Sequence, residues 1–255
     1  MKPVWIIAKN TYREIIRDRI IYALFVFAII MVGAALALGQ LSFSEQARIS
    51  ANFGMAAIHI SAIIIAIFVG SSLVSKEIDK KTILSILTRP LSRLQFLLGK
   101  SLGLILIILT VIVGLSFIQA FVFWGLKVPI TPAFFVSIYG ILLESLVLLG
   151  IALMFSTLSS SLVVVSFTIG IFLIGHWVEN LNFLAKKSSS ELFSIFAKLS
   201  VYGFPNLEKF NWRDVVLYND DLRLDEIVMS TLYGLGWWIL FLFLTMMFFR
   251  KKDFA

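Results

Sequence analysis

The chain has 255 residues, of which 60% are apolar, only 15% are charged and 24 are Phe, and its mean hydropathy is +0.97. A soluble domain is about 45–50% apolar and about 25% charged, so the excess must face a solvent other than water, and a bilayer is that solvent. The charge balance, 22 Lys and Arg against 15 Asp and Glu for a net +7, reports topology and anionic headgroups in such a chain. Nucleic acid is excluded as a partner, because no basic stretch carries the interleaved aromatics that single-strand binders use. With no cysteine there is no disulfide, thiolate metal site, Cys nucleophile or iron–sulfur ligation.

Residues 1–19 come first in chain order. Lys9, Arg13 and Arg17 recur four apart on one side of a helix, and Trp5, Ala8, Tyr12 and Ile15 line another. That pattern predicts an amphipathic helix in the inner headgroup layer, with lipid as its partner. A cleavable leader is rejected even though Ala35-Leu36-Ala37 has a small-residue pattern. Glu14 and Asp18 interrupt the basic region, and the apolar run that follows is long enough to span.

Apolar windows then predict six spans, near 20–39, 54–74, 101–124, 133–155, 162–178 and 229–249. Basic residues gather in the segment before the first span, in 75–100 and after the last. The two short outer loops hold only Arg48 and Lys127. The expectation is one membrane domain over 1–255, in the cytoplasmic (inner) membrane with both termini cytoplasmic.

Between the second and third spans, Ile78, Ile83, Leu84 and Leu87 fit a short amphipathic helix. Pro90 ends it, because proline has no amide donor and restricts Arg89. Ser92 and Gln95 stand in capping-box relation and start a new helix that runs into the third span. Gly99-Lys100-Ser101 imitates the tail of a phosphate-binding loop, but Leu94 stands where that loop needs glycine. Gly99 and Gly103 read instead as a small-xxx-small step for close helix approach at the foot of the span.

Residues 179–228 are too long for a hairpin connection and too apolar for a linker. Ser188 and Glu191 predict a capped helix that Gly203 and Pro205 stop, lying at or dipping into the outer interface. Asn211-Trp212-Arg213-Asp214 and the acidic residues Asp220, Asp221, Asp225 and Glu226 are expected to form a small exposed cap.

Glu144 lies eleven residues from either end of its predicted span, where an ionised carboxylate costs several kcal/mol. By depth, Thr110 on the third span is its expected partner, while Gln119 and His59 fall nearer the outer face. Two readings stay open: a proton or substrate contact in a pathway, and a protonated interhelical hydrogen bond that fixes packing. His59 and His176 are the only histidines, and with no His-Glu-x-x-His motif no metal site is expected. The seven Met show no regular spacing, and no catalytic residue is identified. What remains is a membrane body with an ordered, basic, helical loop on its inner side, of the kind that can seat in a groove of a partner and transmit its motion.

Several segments resemble the type-2 ATP-binding-cassette permeases. They are Ala8-Lys9-Asn10-Thr11-Tyr12-Arg13-Glu14 with Arg17-Asp18-Arg19, Lys76-Glu77-Ile78-Asp79-Lys80-Lys81-Thr82, Arg89-Pro90-Leu91-Ser92-Arg93, Gly99-Lys100 and Pro205-Asn206-Leu207-Glu208-Lys209-Phe210-Asn211. The likeness is greatest to the group associated with maturation of multi-copper enzymes, the nitrous-oxide-reductase maturation permease among them. It implies an all-helical subunit that dimerises and binds a separate cytoplasmic ATPase, which holds ATP and magnesium while this chain holds no cofactor. Residues 1–19 would be the connecting helix, 77–88 the coupling helix, 156–161 a second inner contact and 179–228 the outer re-entrant region. Glu77, Lys81, Arg89 and Arg93 would position the coupling loop on the ATPase, with Thr82 and Pro90 shaping it.

The expected function is an ATP-driven permease subunit working by alternating access, with export the expected direction and an outer accessory protein a further expected partner. A proton-coupled secondary transporter using Glu144 is one alternative, and a non-transporting membrane anchor for an outer protein is another.

Overall fold

A computed structural model describes residues 2–40, 45–72, 92–187, 191–213, 215 and 223–251. All regular structure among them is helical: α1 (Lys2–Ile16), α2 (Arg19–Gln40), α3 (Gln46–Ile64), α4 (Arg93–Gly125), α5 (Pro132–Ser156), α6 (Ser161–Lys187), α7 (Glu191–Gly203) and α8 (Leu224–Lys251). A π turn at Ile65–Val69 carries α3 onward to Ser72. Six of these helices, α2, α3, α4, α5, α6 and α8, are long and apolar enough to cross a membrane, as the hydropathy pattern predicts. The protein is a polytopic, all-helical membrane protein. The helices outrun the predicted windows at several ends. Helix α3 begins at Gln46, eight residues before the apolar window opens at 54, because backbone hydrogen bonding continues through polar flanks that a hydropathy window discards.

Helices α3 and α5 form the centre. In their most apolar windows 72% and 67% of residues are buried, against 22% in α2, 28% in α6 and 17% in α8. Ala62, Ile65 and Ala66 of the α3 region and Leu148, Leu149, Ile151 and Ala152 of α5 are completely enclosed. Lipid tails are as apolar as these side chains, so close packing rather than escape from water holds them together. Gly70 brings the two backbones near enough that a Cβ there would sit 3.1 Å from the Ala152 methyl.

Ser92 starts α4 as its sequence predicts. Its hydroxyl accepts from the Gln95 amide at 3.2 Å, and the Gln95 side chain accepts from the Ser92 amide at 3.1 Å. At 33 residues α4 is about 50 Å long, longer than the hydrocarbon it must cross, so it extends beyond the slab.

The Gly99–Gly103 step is a contact surface, and its partner is α1. Added Cβ atoms would lie 2.6 Å from the Ile7 Cβ and 2.6 Å from the Thr11 Cβ. Ala8, Thr11 and Ile15 are buried, while Lys9, Arg13 and Arg17 face outward. The apolar side that the sequence assigns to acyl chains is therefore largely taken up by α4, leaving Trp5 and Ile6 exposed.

At the opposite end of the bundle, α7 packs against α6 and stops at Gly203, where Pro205 cannot continue the ladder. The chain then turns inward. The Leu207 amide donates to the Gly175 carbonyl of α6 at 3.0 Å, and Leu207, Phe210 and Trp212 are buried. Gly140 of α5 and Gly175 of α6 make room, since a side chain at either would collide with the Phe210 and Pro205 carbonyls.

The expected exposed cap at Asn211-Trp212-Arg213 is thus corrected. The Trp212 ring stacks near Tyr139 at 6.4 Å, and the Ser137 hydroxyl donates to the Trp212 carbonyl. Asp214, Asp220 and Asp221 lie outside the described residues, whereas Asp225 and Glu226 are exposed as expected.

Candidate functional site

Helix α5 places Glu144 twelve residues from Pro132 and twelve from Ser156, at the middle of the most enclosed part of the bundle. Helix α3 brings His59 to the same level, thirteen residues from Gln46 and thirteen from Ser72. From α6 comes His176, fifteen residues after Ser161 and eleven before Lys187.

The His59 Nε2 lies 2.7 Å from the Glu144 Oε2, a hydrogen bond of charge-assisted length. The His176 Nε2 lies 3.5 Å from the other carboxylate oxygen, Oε1. His176 is oriented by its own helix: its Nδ1 is 3.1 Å from the Phe172 carbonyl oxygen, which can only accept, so Nδ1 carries the proton. The Phe172 ring packs against His176 at 4.6 Å and near His59 at 6.5 Å, adding apolar surface beside the two imidazoles. Glu144 and His59 are 1% and 5% exposed, so the pair is shut off from bulk solvent.

The pairing of Glu144 with Thr110 is corrected. Thr110 is exposed, and its hydroxyl donates to the Leu106 carbonyl of its own helix at 2.8 Å and lies 3.3 Å from the Tyr12 hydroxyl of α1. Depth along a helix does not set direction around it, and Thr110 points away from α5. Starting the second span at 54 also displaced His59 toward the outer face; with α3 beginning at Gln46, His59 is central. A signal for both histidines was present, since the argument that singles out Glu144 applies to any ionisable residue inside an apolar span.

The residues expected at the ATPase contact fare differently. Glu77, Lys81, Thr82, Arg89 and Pro90 lie outside the described residues. Arg93 is described, and its guanidinium donates to the Phe249 and Arg250 carbonyls at 2.9 and 3.0 Å, capping the last turn of α8. The turn between Ser156 and Ser161 is at the same end, where the Ser161 hydroxyl lies 3.2 Å from that of Ser71. Arg93, the α5–α6 turn and the end of α3 therefore share one face with the carboxyl-terminal turn of α8.

The family model described as ABC-2 family transporter protein matches residues 15–176, well over half of the chain and including His59, Glu144 and His176. No curated protein matches the chain. Six spans and this match together mean that the chain belongs to the ABC-2 transporter family, as a membrane-spanning permease subunit.

Proposed function

We propose that the chain is the membrane half of an ATP-driven pump. Two copies enclose the pathway, a cytoplasmic ATP-binding-cassette ATPase with its ATP and magnesium binds each copy, and export proceeds by alternating access across the inner membrane. Both termini face the cytoplasm in this reading. The family match over 15–176 carries it. Two structural features support it. The capped start of α4 makes Ser92 a rigid joint, and α1 docked along Gly99 and Gly103 forms a two-helix lever with α4, well suited to moving with a partner bound to residues 75–91. The likeness of the chain's segments as a whole to the multi-copper-enzyme maturation group, and an outer accessory protein, belong to the same proposal.

Purification of the tagged chain from native membranes is expected to bring an ATP-binding-cassette ATPase with it. Reversing Lys81 and Arg89 to Glu is expected to abolish that association while insertion is unchanged. Arg93 is left intact in this test, because its replacement would also uncap α8. Co-purification that survives both reversals, or transport that continues after ATP depletion, would overturn the reading.

A further inference from the structure

We infer that His59, Glu144 and His176 form a binding site for one divalent first-row transition-metal ion of the zinc type, held between α3, α5 and α6. This goes beyond the pump reading and does not rest on it.

Three observations carry the inference. The first is convergence: one ligand atom from each residue lies within 4.8 Å of the others, although the residues sit on three different helices and are the only two histidines and the only acid deep in the described spans. In a tetrahedral site with bonds of about 2.0–2.1 Å, ligand atoms stand about 3.3 Å apart. Measured to the two different oxygens of the carboxylate, His59 Nε2 at 2.7 Å and His176 Nε2 at 3.5 Å fall on either side of that value. Side-chain rotation has to draw the three atoms, now within 4.8 Å of one another, to that spacing.

The second is hydrogen-bond accounting. With its Nδ1 proton given to Phe172, His176 presents a lone pair at Nε2 toward Glu144 Oε1. Neither of these two buried atoms has a hydrogen-bond partner among the described residues. Two acceptors facing each other in an apolar interior are each destabilising when left unsatisfied. One cation between them satisfies both, and it takes His59 Nε2 as a ligand once that nitrogen gives up the proton it shares with Glu144 Oε2.

The third is the donor set. Two imidazoles and one carboxylate suit zinc, cobalt(II) and their neighbours, with a fourth position left for water or another donor. Magnesium and calcium want six or more oxygens, and copper(I) wants thiolate or thioether, so neither class fits. The Phe172 carbonyl is the outer-shell acceptor that metal-bound histidines ordinarily have. An ion here ties three spans together at mid-depth, so a conformation that draws α6 away from α5 must release it.

The test uses the full chain in lipid nanodiscs, stripped with a chelator and titrated with cobalt(II), read by its visible absorption and by metal analysis. One cobalt per chain, displaced by zinc, is expected. The His59→Ala/His176→Ala variant, checked for unchanged elution and helicity, is expected to bind at least about tenfold more weakly, since even loss of outer-shell partners costs that much. If the double variant does not fold, His176→Ala alone removes the ligand whose side chain is least buried, at 17%. Wild-type binding no tighter than that of the folded variant, whether absent or located elsewhere, would overturn the site. Because neither ATPase nor ATP is present, that failure would leave the pump reading standing.

Discussion

Glu144 shows what a single carboxylate does when its helix carries it into hydrocarbon. Its Oε2 meets His59 at 2.7 Å, and the opposite oxygen faces His176. Truncating it removes the acceptor of His59 and leaves two imidazoles turned toward a void. Glu144→Ala is expected to cost about 1–3 kcal/mol, or roughly 2–4 °C of melting temperature per kcal/mol at this chain length. Glu144→Gln, which keeps an acceptor for His59, should cost less. Thr110→Val is the control. Its hydroxyl bonds mainly within its own helical turn, so the change should fall within about 0.5 kcal/mol. Melting of the purified protein in detergent checks all three, and a Thr110→Val loss matching that of Glu144→Ala would restore Thr110 as the partner. The sequence made Glu144 conspicuous because charge in an apolar run is a one-dimensional signal. It could not supply His176, whose approach depends on how far α6 is rotated about its axis.

At the scale of elements, what neighbouring residues decide was readable and what distant ones decide was not. The Ser92–Gln95 box and the Gly99–Gly103 step are local patterns, and both form as written. The identity of the helix seated on the glycines was hidden, because α1 and α4 are separated by two spans and meet only once the bundle closes. The inward course of Leu207, Phe210 and Trp212 was hidden for the same reason: it depends on glycines at 140 and 175, far off in sequence.

The α1–α4 seam leads to a definite expectation. A Cβ at Gly103 would lie 2.8 Å from the Ala8 carbonyl. That oxygen is backbone and cannot swing aside, so Gly103→Leu should separate the helices at a cost of about 1–3 kcal/mol or more. The chain has no native cysteine, so Ala8→Cys provides a clean reporter. Ala8 is fully buried and should resist maleimide in the parent, yet label readily when combined with Gly103→Leu. Equal protection in both backgrounds would show that the seam tolerates the bulk.

For the whole molecule, the question is which way the bundle stands. Six crossings put both termini on one side, and Arg93 at the head of α4 grips the final turn of α8 on that side. The α5–α6 turn joins them there, and the loop after α4, with Lys127 at a left-handed φ of 57°, lies at the other end. Lys and Arg are retained on the cytoplasmic side of short loops. The terminal face carries Lys9, Arg13, Arg17 and Arg19 ahead of the first full crossing, whereas the two short connections at the far end bring only Lys127 and, in the first turn of α3, Arg48.

The bundle should therefore stand with its terminal face in the cytoplasm, where an ATPase can reach α1, the start of α4 and the α5–α6 turn together. Ser160 and Lys127, both exposed, mark the two faces. With Ser160→Cys, a membrane-impermeant maleimide should label only inverted vesicles or opened cells. With Lys127→Cys, it should label intact spheroplasts. The opposite pattern would place the lever formed by α1 and α4 beyond the reach of any cytoplasmic engine. An energy source on the inner side could not then drive this permease through residues 75–91, and the metal site at mid-depth would have to be explained without it.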